Sequence, residues 1–202
     1  MDYRLYHAIN TFVGHHAWIG RAAGALEGWS IPLFAAATCL LWLLARPNGA
    51  SRWKHATVAA LGSAAIALLT NQVLARLWER PRPYTAHLDA VVFAARSHDP
   101  SFPSDHAAAA FAIAIAILLY HRRTGAAFLA VAILISAGRV VAGVHYPLDI
   151  TAGALVGTLS AVAVTRLARP LVDRITRILG RVTDPLVSPL WDLATDRYTR
   201  HR

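Results

Sequence analysis

Five apolar segments dominate the chain, and they limit the folds it can adopt more than any other feature. They run approximately over residues 17–45, 56–77, 107–120, 125–137 and 148–163. A helix needs ~20 predominantly apolar residues to cross the hydrocarbon core of a bilayer. The third and fourth segments fall short of that length, so their ends should include polar groups at the membrane edge. The sequence therefore predicts an all-α polytopic transmembrane helix bundle with about five spanning helices.

The composition agrees with a membrane protein and not with a nucleic-acid-binding one. Hydrophobic residues make up 56% of the 202 residues and charged residues only 15%, whereas soluble domains average about a quarter charged. The net charge is +9, but the basic residues stand at the ends of apolar runs and not on one soluble face. We therefore expect membrane lipids and no nucleic acid as partners, and the sequence leaves the oligomeric state open. Cys39 is the single cysteine, which excludes a disulfide within the chain and a thiolate metal site.

Amphipathic segments flank the apolar ones at both ends. Residues 3–13 repeat apolar side chains at helical spacing, which favours a helix lying in the membrane interface, with an ordinary core helix as the alternative. The tail alternates apolar residues with arginines, typical of a basic amphipathic helix on an anionic leaflet, and Pro185 and Pro189 should interrupt it. We therefore divide the chain into a membrane-embedded domain, residues 1–170, and a cytoplasmic tail, residues 171–202.

Polar residues collect at three junctions where apolar segments begin or end. The first junction is Arg80-Pro81-Arg82-Pro83, the second is Pro103-Ser104-Asp105-His106, and the third runs from Gly138 to Asp149 and contains Arg139 and His145. Placing an ionisable group near hydrocarbon costs several kcal/mol unless the group is paired, so such clusters mark functional sites. We expect the three junctions to form one site.

The alternation of five spans places all three junctions on the same side of the membrane. The other side receives the connector before the second span, with Arg46-Pro47-Asn48-Gly49, Arg52 and Lys54, and also Arg122, Arg123 and the arginine-rich tail. By the positive-inside rule that second side is cytoplasmic. The junctions, and any site they form, are therefore predicted to be extracytoplasmic.

The residue types at the junctions suit transfer of a phosphoryl group. Arg82 and Arg139 offer planar forks of donors to phosphate oxygens, and Ser104 begins a helix whose N–H groups can point at an anion. One imidazole can attack phosphorus while another protonates the departing oxygen and then activates water. Asp149 follows His145 by one helical turn, so its carboxylate should hold the other ring N–H. That spacing makes His145 the nucleophile and His106 the general acid.

Two alternatives stay open at this point. Histidines and aspartates together can ligate zinc or iron, although neighbouring arginines would repel a cation. Arg80 serves equally well as an ordinary interfacial anchor.

In order along the chain, the junctions resemble the three-part signature of the type-2 phosphatidic acid phosphatase superfamily of integral membrane lipid phosphatases. That signature reads Lys-x6-Arg-Pro, Pro-Ser-x-His and Ser-Arg-x5-His-x3-Asp, and the resemblance covers roughly residues 61–165. It implies a lipid phosphatase that needs no metal and no cofactor. It also implies catalytic roles for His145, His106 and Asp149, and phosphate binding by Arg82, Ser104 and Arg139.

Two positions depart from the signature. Ala75 stands where the first motif has lysine, and Gly138 stands where the third motif has serine. The neighbouring Arg76 can replace the missing cation, although a shift of one residue turns its side chain by about 100° around the helix. We therefore include Arg76, together with Asp105 of the second junction, among the predicted phosphate-binding residues.

Within the superfamily, the small size and the Pro-Ser-Asp-His variant are similar to bacitracin-resistance undecaprenyl pyrophosphate phosphatases. That similarity implies hydrolysis of a polyprenyl pyrophosphate of cell-wall synthesis through a phosphohistidine, at the outer face of a bacterial inner membrane. The alternatives are a phosphatidylglycerophosphate or phosphatidic acid phosphatase, and a lipid-binding membrane protein without catalysis.

Overall fold

The computed structural model describes residues 1–45 and 52–200, with side chains to position 189 and at Trp191. These parts of the chain form eight helices and no strand, which confirms the predicted all-α class. The helices are α1 (Asp2–His15), α2 (Ala17–Leu43), α3 (Arg52–Leu77), α4 (Pro83–Ala86), α5 (Asp105–Tyr120), α6 (Arg122–Val141), α7 (Pro147–Arg166) and α8 (Arg169–Arg200). The predicted stop at Arg46-Pro47-Asn48-Gly49 lies outside the described residues.

Helix α5 is the centre of the bundle and packs against α3, α6 and α7. Its inner surface is almost entirely alanine, which leaves little side chain between neighbouring backbones. Gly153 and Gly157 of α7 complete this close contact, because a Cβ atom at either position would collide with the backbone of the second junction or of α5. Two glycines four residues apart thus let the backbones approach, and α7 is held tightly against α5.

The outer faces of the bundle are apolar and exposed. Large side chains such as Trp18, Leu69, Leu134 and Leu155 point away from the core. Among the described helices, α2, α3, α6 and α7 are long and apolar enough to cross a membrane. Helix α5 is also apolar but has only 16 residues, and at 1.5 Å per residue it is about 24 Å long. Its central position shields it from lipid on most sides.

The two flanking helices are both packed against the bundle. In α1, the Asn10 side chain bonds Val91 through both its amide nitrogen and its amide oxygen, at 2.7 and 2.9 Å. In α8, the Asp184 carboxylate accepts a hydrogen bond from the buried Lys54 ammonium at 2.5 Å. The flanking helices therefore make specific polar contacts, α1 with the loop between α4 and α5, and α8 with α3.

The expectation that prolines interrupt the tail is wrong, because α8 continues through Pro185 and Pro189 to Arg200. Each proline removes only one backbone hydrogen bond from the helix. Contacts hold the helix on both sides of them. Lys54 bonds Asp184 before the first proline, and the Trp191 indole N–H reaches the Leu43 carbonyl after the second, at 3.4 Å.

Candidate active site

The three junctions meet at one end of the bundle, and hydrogen bonds link them to one another. The Ser101 N–H, just before the second junction, donates to the Arg80 carbonyl at 2.8 Å, and the Ser104 N–H donates to the Asp149 carbonyl at 3.0 Å. The Arg82 side chain bonds the Val144 carbonyl at 3.3 Å. The sequence prediction that the junctions share one place is therefore confirmed.

A tight turn at the end of α6 brings Arg139 and His145 together. The Val144 N–H bonds the Arg139 carbonyl at 3.1 Å, and the Gly143 N–H bonds the Val140 carbonyl at 3.0 Å. This is the Schellman pattern of helix termination, which needs a left-handed residue, and Gly143 has φ of 81°. The chain reverses within six residues, so the Arg139 guanidinium and the His145 ring lie side by side.

The hydrogen bonds of His145 determine which ring nitrogen carries the proton. Its Nδ1 lies 2.9 Å from the Ser101 carbonyl oxygen. A carbonyl oxygen only accepts, so Nδ1 is the protonated nitrogen and Nε2 keeps its lone pair. The donors around Nε2 agree with this assignment, because Arg139 Nη2 and Arg82 Nη1 lie 3.2 and 3.3 Å from it. The unprotonated ring nitrogen thus points at two guanidinium groups.

The two guanidinium groups retain capacity for an anion. Arg139 is buried, and its Nε has no hydrogen-bond partner in the part of the chain that the structure describes. Arg82 is fixed from behind, because its Nε donates to the Asp99 carbonyl at 2.9 Å. A phosphate placed at His145 Nε2 would lie within reach of both arginines, which is the arrangement that stabilises charge in phosphoryl transfer.

Asp149 is fully buried and is surrounded by hydrogen-bond donors. Its carboxylate accepts from Ser101 Oγ at 2.6 Å, from Arg80 Nη1 at 2.7 Å and from the Tyr146 N–H at 2.9 Å. The distance from its Oδ2 to His145 Nδ1 is 3.6 Å, longer than the 2.9 Å to the Ser101 carbonyl. The ring N–H is therefore held by a backbone oxygen, while Asp149 supplies a nearby negative charge and orders the groups around the ring.

The environment of His145 keeps its ring neutral. Burial lowers the pKa of His145 to about 4; the nearby Asp149 carboxylate opposes that change, and the charges of Arg139 and Arg82 reinforce it. A neutral ring with its proton on Nδ1 is the form that can attack phosphorus.

The residues of the second junction surround the start of α5. Ser104 is buried and caps the helix, accepting from the Ala107 N–H at 3.5 Å. Asp105 accepts from the amide of Asn71 at 2.9 Å, and Asn71 is buried whereas Gln72 beside it is exposed. His106 is partly exposed, and its Nε2 lies 4.0 Å from a carboxylate oxygen of Glu27.

Arg76 is a predicted phosphate-binding residue that the structure does not join to His145 or the two arginines beside it. It is exposed in the last turn of α3. Within residues 1–45 and 52–189, no hydrogen bond or ion pair connects it to Arg82, His145 or Arg139. The position next to Ala75 thus faces away from the arginine pair, as the 100° helical rotation anticipates.

Four residues of the site have no role in the sequence prediction. Glu27 of α2 forms an ion pair with Arg139. Arg80 pairs with Asp149 and also with Asp2 of α1, at 2.5 Å, and Ser101 bonds both Asp149 and His145. A lone carboxylate inside an apolar run is a signal that would have found Glu27. No pattern in the sequence marks Ser101.

An apolar groove leads from the site along the outside of the bundle between α2 and α6. It has a volume of about 760 Å³, and Glu27 and Arg139 line its polar end. Its other walls are mostly apolar side chains, among them Leu33, Phe34 and Leu134. The groove therefore connects a hydrocarbon-compatible surface with Arg139 of the site.

The acidic and histidine side chains of the site are not arranged as a metal centre. Among the described residues, no group of three or more His, Cys, Asp or Glu side chains could hold a metal ion. The positive groups next to His145 Nε2 are guanidinium groups, which suit an anion.

The sequence profile of the PAP2 superfamily matches residues 56–172, more than half of the chain and all three junctions. The chain belongs to the PAP2 superfamily. This confirms the resemblance drawn from the three motifs. As a PAP2-family chain with several helices able to span a bilayer, it is a multi-pass membrane phosphatase.

Individual relatives extend the similarity beyond the matched domain. Undecaprenyl-diphosphatase BcrC of Bacillus subtilis (strain 168) is 29% identical over 189 residues, which cover 92% of this chain and 95% of that protein. Putative undecaprenyl-diphosphatase YbjG of Escherichia coli (strain K12) is 30% identical over 134 residues, covering 66% and 64%. The crystal structure of Aquifex aeolicus LpxE has a TM-score of 0.56 and 26% identity, covering 80% of this PAP2 chain and 92% of LpxE.

Proposed function

We propose that this PAP2 phosphatase hydrolyses a polyprenyl pyrophosphate, with undecaprenyl pyrophosphate as the substrate, at the outer face of a bacterial inner membrane. The observation that carries the proposal is the orientation of His145, whose unprotonated Nε2 faces Arg82 and Arg139 while Nδ1 donates to the Ser101 carbonyl. The similarity to undecaprenyl-diphosphatase BcrC supports the choice of substrate.

In the first step, the lone pair on His145 Nε2 attacks the terminal phosphorus and forms an N–P bond. The bond from that phosphorus to the bridging oxygen breaks, and the leaving lipid phosphate takes a proton from His106. Arg82 and Arg139 stabilise the charge on the phosphoryl oxygens. The Asp149 carboxylate, 3.6 Å from Nδ1, compensates the positive charge that the ring gains.

In the second step, water attacks the phosphorus of the phosphohistidine and His106 takes its proton. The N–P bond breaks, inorganic phosphate leaves, and both histidines return to their starting states. No atom changes its oxidation state in this cycle, so the reaction needs no redox partner.

The groove between α2 and α6 supports a lipid substrate. A hydrocarbon chain lying among Leu33, Phe34 and Leu134 would place its phosphate end next to Arg139. The groove is open along the side of the bundle, so a long chain can continue into the bilayer beyond it.

The proposal is tested with a substrate panel on detergent-purified protein in EDTA. We expect phosphate release from undecaprenyl pyrophosphate to exceed release from phosphatidic acid and phosphatidylglycerophosphate, and His145→Ala to lower it by at least about 10³-fold. A trapped phosphoenzyme that is stable to alkali and labile to acid would support the phosphohistidine. A preference for either glycerophospholipid would reassign the substrate, and binding without turnover would indicate a lipid-binding protein.

A further inference from the structure

Glu27 is the only acidic residue of α2, and its side chain lies where a phosphate would be expected. The carboxylate forms an ion pair with Arg139 Nη1, and its Oε1 is 4.0 Å from His106 Nε2. Arg139 is a predicted phosphate ligand and His106 the predicted acid for the leaving group. A carboxylate between these two side chains therefore occupies part of the space that the substrate's phosphates would need.

The hydrogen-bond donors of Arg139 show that Glu27 and a bound phosphate would compete for one nitrogen atom. Its Nη2 faces His145 Nε2 at 3.2 Å, its Nη1 is engaged by Glu27, and its buried Nε has no hydrogen-bond partner among the described residues. A phosphate on His145 would use the fork of the guanidinium, which includes Nη1. Because two anions next to each other repel, Glu27 and the phosphate cannot both stay at Nη1.

The position of Glu27 in the groove determines that an incoming substrate meets Glu27 before it meets His145. Glu27 and Arg139 both line the polar end of the groove between α2 and α6. A lipid whose tail lies in the groove therefore brings its phosphates past Glu27 before they reach His145. The Glu27 side chain is 18% exposed, so the carboxylate has room to turn away from Arg139 when it is displaced.

We propose that Glu27 is an exchangeable ligand of Arg139 that takes the place of phosphate in the empty site. It neutralises the buried guanidinium between turnovers, gives up Nη1 to the incoming lipid phosphate, and returns to Nη1 to displace inorganic phosphate after the second step. The inference rests on the proposed function, because it assumes that phosphate binds at His145. It makes Glu27 a residue that sets product affinity.

The chain offers a matched set of variants for the test. Glu27→Gln removes the charge and keeps the side-chain shape, and Glu27→Asp withdraws the carboxylate from Arg139 by about one methylene. Glu79, the only other glutamate, is exposed, and Glu79→Gln is the control. The measurements are the inhibition constants of inorganic phosphate and orthovanadate against lipid turnover, and direct phosphate binding by ³¹P NMR on the intact protein in detergent.

We expect the inhibition constant of phosphate to fall about tenfold in Glu27→Gln, to fall by a smaller factor in Glu27→Asp, and to stay unchanged in Glu79→Gln. Unchanged or weaker phosphate binding in Glu27→Gln would overturn the inference and make Glu27 a structural partner of Arg139. Should Glu27→Gln fail to fold, Glu27→Asp decides alone, since an unchanged or raised constant contradicts the exchange.

The two proposals fail in different ways. A protein that turns over lipid pyrophosphate but shows the same phosphate affinity in all variants would overturn the role of Glu27 and leave the proposed function intact. A protein that turns over no lipid phosphate, yet binds inorganic phosphate more tightly in Glu27→Gln, would overturn the proposed function and support the exchange at Arg139.

Discussion

His145 combines a buried position with a fixed proton, and both follow from its neighbours. Burial lowers its pKa to about 4, so the ring is neutral above that pH and gains a proton only as the pH falls through about 4. An unperturbed histidine titrates near 6.5. We therefore predict that the ¹⁵N signals of His145, assigned by their loss in His145→Ala, stay those of a neutral ring protonated on Nδ1 from pH 8 down to about pH 5. A midpoint near 6.5 would contradict the buried geometry.

Arg139 contributes a shape as well as a charge. Its Nη2 reaches His145 Nε2, and Nη1 lies beside it at the end of the guanidinium, so one side chain can offer two parallel donors to a phosphate when Glu27 leaves Nη1. Lysine keeps the charge but loses the fork. We predict that Arg139→Lys lowers kcat/KM for lipid phosphate by 10²–10³-fold, about 3–4 kcal/mol of transition-state stabilisation.

The control for this change is Arg21→Lys, on an exposed face of α2. It should keep the wild-type rate of phosphate release. Equal losses in both variants would show that the assay reports a general dependence on arginine and not the fork at the site.

For individual residues, the sequence predicted the contacts that depend only on short spacing along the chain. Arg139, His145 and Asp149 lie within eleven residues, and one helix end and one turn bring them together. Glu27 reaches Arg139 from another helix, and Ser101 reaches His145 from a loop. Pairings between distant segments depend on how helices pack, and no local pattern carries that information. For the same reason Arg80 could not be told from an interfacial anchor before its pairing with Asp149 was seen.

Among the helices, the contact between α5 and α7 does most to position the site. Helix α5 carries Ser104 as its cap and His106 in its first turn, and α7 carries Asp149. A Cβ atom on Gly157 would collide with the Ala108 carbonyl, which is backbone and cannot rotate away. Glycines four residues apart favour such a contact, and that spacing is a property of the sequence of α7 alone.

We predict that Gly157→Ala forces α5 and α7 apart and lowers stability by 1–3 kcal/mol, the usual cost of overpacking a core. The melting temperature in detergent should fall, and phosphate release should fall with it because the helices that carry His106 and Asp149 separate. Gly62→Ala in α3 is the matched control, since a Cβ there makes only an ordinary contact with Val164 at 3.8 Å. Equal melting temperatures for the two variants would refute the close contact.

The course of α8 shows where element-level prediction fails. Proline chemistry predicts an interruption at Pro185 and Pro189, yet the helix continues. The backbone hydrogen bonds lost at the two prolines destabilise the helix only locally. The buried pair of Lys54 with Asp184 and the contact of Trp191 with Leu43 are tertiary gains that hold the helix in line. Local propensity is overridden wherever such contacts are available on both sides.

For the whole molecule, charge distribution is the argument for orientation in the membrane. Unpaired arginines at the junction end would conflict with the positive-inside rule if that end is extracytoplasmic. Arg80 is paired with Asp2 and Asp149, and Arg139 is paired with Glu27, so these cations are neutralised within the site. The exposed arginines of α8 at the opposite end then support the proposed orientation, in which the junctions face outward and the tail lies in the cytoplasm.

We predict that single cysteines will report this orientation in a Cys39→Ser background. Leu88, 98% exposed in the loop between the first and second junctions, should be labelled in intact spheroplasts as Leu88→Cys by a maleimide that cannot cross membranes. Arg174→Cys on the exposed face of α8 should react only after permeabilisation. Each variant is used only if it keeps wild-type phosphate release, so that the labelled molecules are folded. The reverse labelling pattern would place the site in the cytoplasm, where a pyrophosphate carried on the outer leaflet could not reach Arg139 and His145.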